Sequence, residues 1–176
     1  MANRAYLTTH DLLGVNKTTL LLADDFRYFD SRWTIPLAWL FFYRPEELVV
    51  VDEDGWGPML RLVADRLSAC DYFTQKRPLL EALAGNMEFM LPLNRLYSRV
   101  RDWRQGKYLI LIPDQIWESF PDDIPVYRPL FEAIADPQAT PDSIRLRIAG
   151  IPHSYVVTEF TDPERFEIHL TGYTYW

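Results

Sequence analysis

Apolar and polar residues alternate most regularly near the C-terminus, where Phe166, Ile168 and Leu170 are separated by Glu167, His169 and Thr171. A period of two puts one set on each side of a strand, and Tyr155 to Phe160 offers a partner across Asp162-Pro163-Glu164. A terminal hairpin is predicted. At the other end, Arg4 to Thr9 and Thr18 to Ala23 flank the turn Gly14-Val15-Asn16-Lys17 and predict an N-terminal hairpin. Ile35 to Tyr43 is densely apolar and contains Pro36, which fits the first turn of a short buried helix or an irregular core segment. Leu48 to Val51 is a β-branched run that reads as a buried strand leading into the acidic turn Asp52-Glu53-Asp54-Gly55. Tyr108 to Ile112, bounded by Gly106 and Pro113, has the apolar continuity of a central strand.

Between these strands the spacing changes to that of helices. Pro58 as a first helical residue would place Leu60, Val63, Ala64, Leu67 and Cys70 on one core-facing stripe. A second short helix is expected from Pro78, carrying Leu79, Leu80 and Leu83 as far as Gly85. A third, from about Pro92, aligns Leu93, Leu96, Tyr97, Val100 and Trp103, with Arg95, Arg99 and Asp102 on its polar side. Asp114 offers a cap for a brief helix with Ile116, Trp117 and Phe120. Prolines at 121, 125, 129, 137 and 141 are read as limiting the helix built on Leu130, Phe131 and Ile134 to about two turns. The expected class is α+β: a mainly antiparallel sheet from N-terminal strands, a central strand and a C-terminal hairpin, packed against a middle helical section. Residues 1–176 are expected to form a single globular domain, since no repeat or linker divides them.

Composition narrows the function classes. With 48% hydrophobic residues and six tryptophans spread along the chain, the core can be large without a disulfide or metal staple. The one thiol, Cys70, has no intramolecular partner, which suits a reducing cytoplasm. The N-terminal residues carry no apolar signal segment, and no later run approaches the roughly 20 apolar residues of a membrane span, so neither export nor membrane insertion is expected. A net charge of −7 argues against binding nucleic acid and favours cationic partners.

Candidate chemistry is sparse. Cys70 as a nucleophile would need His10, His153 or His169 beside it, whereas its apparent helical stripe makes it a core residue. The histidines lack the paired helical spacing that holds zinc, and His169 falls on the polar face of its strand. Asp52-Glu53-Asp54-Gly55 departs from a calcium loop because Arg61 stands where that loop needs a glutamate. The glycines form no phosphate cradle and no nucleophile elbow, so no cofactor, metal or catalytic residue is assigned.

Acidic groups cluster at Asp24, Asp25 and Asp30, at Glu46 and Glu47, at Asp52, Glu53 and Asp54, and at Asp114, Glu118, Asp122 and Asp123. They are interleaved with Phe26, Tyr28, Phe29, Trp33, Trp56, Trp117 and Phe120. Charged turns with aromatic anchors suit docking of a basic protein, and they also suit a solubilising surface above core rings. The docking candidates are Asp24, Asp25, Asp30, Asp52, Glu53, Asp54 and Trp56. The basic stretch from Arg95 to Lys107 is interrupted by Asp102 and core-facing residues, and reads as a helix face.

The opening Met1-Ala2-Asn3-Arg4-Ala5-Tyr6-Leu7, with the acidic, aromatic-rich, motif-poor body behind it, resembles small bacterial immunity proteins of polymorphic toxins. The resemblance implies a cytoplasmic protein that binds a cognate toxin domain and blocks its active site or its access to substrate. It carries over no residue by position. Two other readings stay open: a small hydrolase or transferase with a site assembled from His153 or His169 and an aspartate, and an adaptor subunit of a larger assembly.

Overall fold

The computed structural model describes residues 4–12, 28–32, 35–53, 57–85, 90–103, 106–113, 124–152, 157–158 and 173–175. In chain order these contain strands β1 (Arg4–His10), β2 (Tyr28–Arg32) and β3 (Ile35–Pro36), helix α1 (Leu37–Leu40), a 3-10 turn (Pro45–Glu47), and strands β4 (Leu48–Glu53) and β5 (Gly57–Asp65). Helices α2 (Arg66–Ala84) and α3 (Met90–Asp102) follow, then β6 (Tyr108–Ile112), α4 (Ile124–Ala135), α5 (Pro141–Ala149), β7 (Val157–Thr158) and β8 (Tyr173–Tyr175). The fold is α+β. Six strands in the order β4-β5-β6-β1-β2-β8 make an antiparallel sheet, and β3 pairs in parallel with β7.

Period-two burial sets the register. Leu48, Leu62, Leu111, Leu7 and Phe29 stand opposite one another across five strands, and all five belong to one buried cluster. A slip of one residue in any strand would turn its member of this row to the other face. The opposite face buries Tyr6, Ile110 and Ile112, against which Tyr28, Val63 and Tyr108 pack. Tyr6 and Tyr28 meet edge to face at 5.4 Å. The helices cover the first face, joined by the ring series Phe42, Phe73 and Tyr97 with centroids 4.4 and 5.9 Å apart.

Several expectations are corrected. The stripe drawn from Pro58 is not helical: Leu60, Val63 and Ala64 lie in β5, where Leu60, Leu62 and Ala64 alternate toward the core. The helix starts only at Arg66, because the Asp65 carboxylate accepts the N–H groups of Leu67 and Ser68 at 3.1 and 3.0 Å. Leu67 is consequently exposed, although Cys70 remains in the core. No second helix begins at Pro78. Residues 66–84 form one helix with Pro78 on its exposed side, and burial of Phe73 before it and of Leu80 and Leu83 after it holds the helix together. Gly85, at φ +66°, does end it as expected, with its N–H on the Glu81 carbonyl.

Two of the prolines read as limits, Pro125 and Pro141, stand in first turns, and Pro129 lies inside α4. Pro125 lies in the first turn of α4, which runs for 12 residues and buries Tyr127, Leu130, Phe131 and Ile134. The unanticipated α5 opens on Pro141, behind a reciprocal cap in which Thr140 and Ser143 exchange hydrogen bonds. β4 is an edge strand, not a buried one, and Val50 is 43% exposed. The expected features that hold are β1, the central β6, the third helix and the wholly buried segment Ile35 to Tyr43. The strand expected at 18–23, the helix after Asp114 and the turn at 162–164 lie outside the described residues. β1 pairs with β2 and β6.

Candidate functional site

The acidic hairpin is built by β4 and β5, whose register runs unbroken from Leu48 opposite Leu62 to Glu53 opposite Gly57. Gly57 takes φ +81°, a left-handed conformation that glycine adopts without strain as the chain re-enters the strand. Asp52 stands opposite Pro58 and is exposed. Among the described residues, ion pairs join Arg44 to Glu47, Arg77 to Glu81, Arg101 to Asp102 and Arg145 to Asp142, and Asp52 takes part in none.

The other docking candidates are not gathered around it. Asp30 lies on β2, opposite Tyr6 and Tyr173. Four strand steps separate β2 from β4, so Asp30 and Asp52 are about 19 Å apart across the sheet. They are two positions, not one cluster. Asp24, Asp25, Asp54 and Trp56 lie outside the described residues, and Glu53 is placed by its backbone at the end of β4.

Groups considered for catalysis are placed differently. Cys70 is buried, and desolvation pushes its thiol up to about 11, opposed chiefly by Arg66. A thiol so placed is a poor nucleophile at neutral pH. At the end of β1, His10 Nδ1 accepts the N–H of Leu12 at 3.0 Å, while His153 and His169 lie outside the described residues. Among the described residues no group of three or more His, Cys, Asp or Glu could hold a metal ion. No described helix is long and apolar enough to cross a membrane.

Two polar assemblies were not legible in the sequence. Arg66 places its guanidinium on the carbonyls of Val100 and Arg101, at the C-terminal end of α3, and donates Nε to Gly106 O at 2.8 Å. A cation at that negative end of the helix dipole ties the start of α2 to the end of α3. The second assembly surrounds Tyr72: Arg44 lies over its ring at 4.5 Å, and Lys76 lies 5.9 Å from the ring centroid while donating to Ala135 O at 2.8 Å. Arg44 also donates its N–H to the Glu47 carboxylate. Burial raises the Glu47 carboxyl, drives the Tyr72 hydroxyl up to about 12 and lowers Lys76. Both assemblies bridge segments roughly thirty or more residues apart, so no local spacing announces them.

Arg101, in the basic stretch, pairs with Asp102 at 2.8 Å and lies 5.5 Å from the Tyr97 ring centroid. The side-chain hydrogen bond between the two raises the arginine and lowers the aspartate. This is a helix face, as expected.

The fold and surface together define a class: an α+β protein with an antiparallel sheet that carries the exposed Asp52 on β4, an edge strand among the described residues. No protein-family model matches the chain, and neither the curated proteins nor the solved structures compared with it give a match.

Proposed function

We propose that this chain is a non-enzymatic binding protein for a basic protein partner. The most specific form of the reading is a bacterial immunity protein, acting in the cytoplasm, that covers the active site or substrate surface of a cognate toxin domain. One observation carries it: Asp52 is exposed on β4 and, among the described residues, joins no ion pair, in a chain whose net charge is −7. A carboxylate left unneutralised at a strand end steers a cationic surface toward it, while nearby apolar contacts slow dissociation.

The test begins with a pull-down from the source cell, followed by kinetics on the recovered protein by surface plasmon resonance. Reversal of Asp52, Glu53 and Asp54 to lysine is expected to lower the association rate roughly tenfold at low salt, with a smaller effect on dissociation. Recovery of no protein partner, or an association rate that ignores both the reversal and the salt, would sink the reading. An open reading frame adjacent to the gene and ending in a toxin-like domain would support the immunity form.

A further inference from the structure

The outer side of β4 is an unusual sheet edge. Among the described residues β4 pairs only with β5, and its six register pairs contain no bulge. Its sequence, Leu-Val-Val-Val-Asp-Glu, contains no proline and no lysine. Natural sheets blunt such edges with those devices, because a regular edge presents a row of main-chain donors and acceptors to any extended segment. Val50 is 43% exposed here, between the half-buried Val49 and Val51. Among the described residues the other end of the sheet is β8, three residues long.

We propose that β4 receives an extended strand of the basic partner by antiparallel main-chain pairing, with a cationic side chain beside Asp52 and β-branched residues beside Val49, Val50 and Val51. This rests on the reading under Proposed function and adds the mode of recognition. In strand addition the main-chain bonds hold the segment and the side chains of alternate positions select it. Opposed side chains share a face and lie close enough for opposite charges to attract, so the exposed Asp52 selects lysine or arginine at its own position. The antiparallel sense continues that of the whole sheet. A basic residue must therefore come before the β-branched run in the partner.

Charge also disfavours a second copy of this chain as the occupant. Two β4 strands paired about Val50 would bring the Glu53 end of each beside the Glu46–Glu47 end of the other. The exposed Glu46 would then add like charge near Glu53 at both ends, although Glu47 itself is paired with Arg44.

The probe is a fluorophore-labelled, acetylated Lys-Lys-Val-Thr-Val-Thr peptide amide, compared by anisotropy with the same peptide N-methylated at alternate residues. N-methylation removes main-chain donors and leaves the charge. The unmodified peptide is expected to bind, to slow amide hydrogen exchange across residues 48–53, and to bind about tenfold more tightly than its N-methylated form. Val50→Lys, at an exposed position that tolerates it, should weaken binding comparably while circular dichroism stays unchanged; Asp52→Asn should remove most of the salt dependence. Equal binding of both peptides would overturn strand pairing and leave acidic docking standing. So would failure of both peptides while the pulled-down protein still depends on Asp52. A homodimer in sedimentation that Val50→Lys converts to monomer would assign the edge to a second copy, and would likewise overturn the proposal. If the pulled-down protein ignores the reversed hairpin, the broader reading fails instead.

Discussion

Two ionisable side chains, the buried Cys70 and the partly buried Glu47, make opposite kinds of prediction. The Cys70 thiol, pushed up to about 11 and 2% exposed, holds about a hundredfold less thiolate at neutral pH than an ordinary cysteine. Iodoacetamide should therefore leave the native protein unlabelled over a period that fully labels the urea-unfolded chain, as mass spectrometry would read; comparable native labelling would show Cys70 to be accessible. For Glu47, burial outweighs the N–H and guanidinium of Arg44, and its folded value stands above its ordinary one. A carboxyl raised by folding stabilises fully below its unfolded value, and that contribution fades as pH rises through the folded one. Glu47→Gln, which keeps an acceptor for the Arg44 N–H, should thus be at least as stable as the parent at neutral pH and gain nothing near about pH 4. Urea midpoints at both pH values decide it. A variant weakened more at neutral pH than in acid would show that the Arg44 ion pair dominates.

The lever at the scale of elements is Arg66, the first residue of α2. Its guanidinium serves the last carbonyls of α3 and the Gly106 carbonyl, while its own N–H donates to Lys107 O at 2.9 Å. Arg66→Ala leaves these partly buried acceptors unmet and should cost about 1.5–3 kcal/mol in chemical denaturation. Arg66→Lys should recover only part of that loss, since an ammonium cannot span three carbonyls as a planar fork does. Full rescue by lysine would mean that the charge alone matters. Gly106 explains why the crossing is tight there: at φ +94°, a Cβ on it would lie 2.4 Å from Thr9 Cβ.

Across the whole molecule, separation governs how the acidic positions act. Asp30 and Asp52, about 19 Å apart across the sheet, exceed the screening length of roughly 8 Å at physiological salt. Their single reversals to lysine should therefore combine additively, within about 0.5 kcal/mol, in a double-mutant cycle on partner binding. A coupling above about 1 kcal/mol would mean that both positions act on one group of the partner. The sheet order creates this separation: β1 inserts between β2 and β6, and β5 lies between β6 and β4.

The sequence by itself determined the class of fold and much of its inventory. Tyr108 to Ile112 was legible because five apolar residues between Gly106 and Pro113 fit a strand flanked on both sides. The stripe Leu93, Leu96 and Val100 was legible because helical period repeats within one segment. Gly85 announced the end of α2 through its left-handed conformation. Leu60 to Ala64 misled, because so short a segment satisfies both periods, and pairing with β4 on one side and with Leu109 to Leu111 of β6 on the other made it a strand. Pro78 misled because its local penalty is smaller than the burial on either side. The candidate surface was half legible: the acidic turn was apparent, but not that β4 would lie at the edge, nor that Asp30 would stand four strands away. Strand order follows from which apolar rows match across distant segments, and those long-range contacts exist only once the tertiary structure has formed.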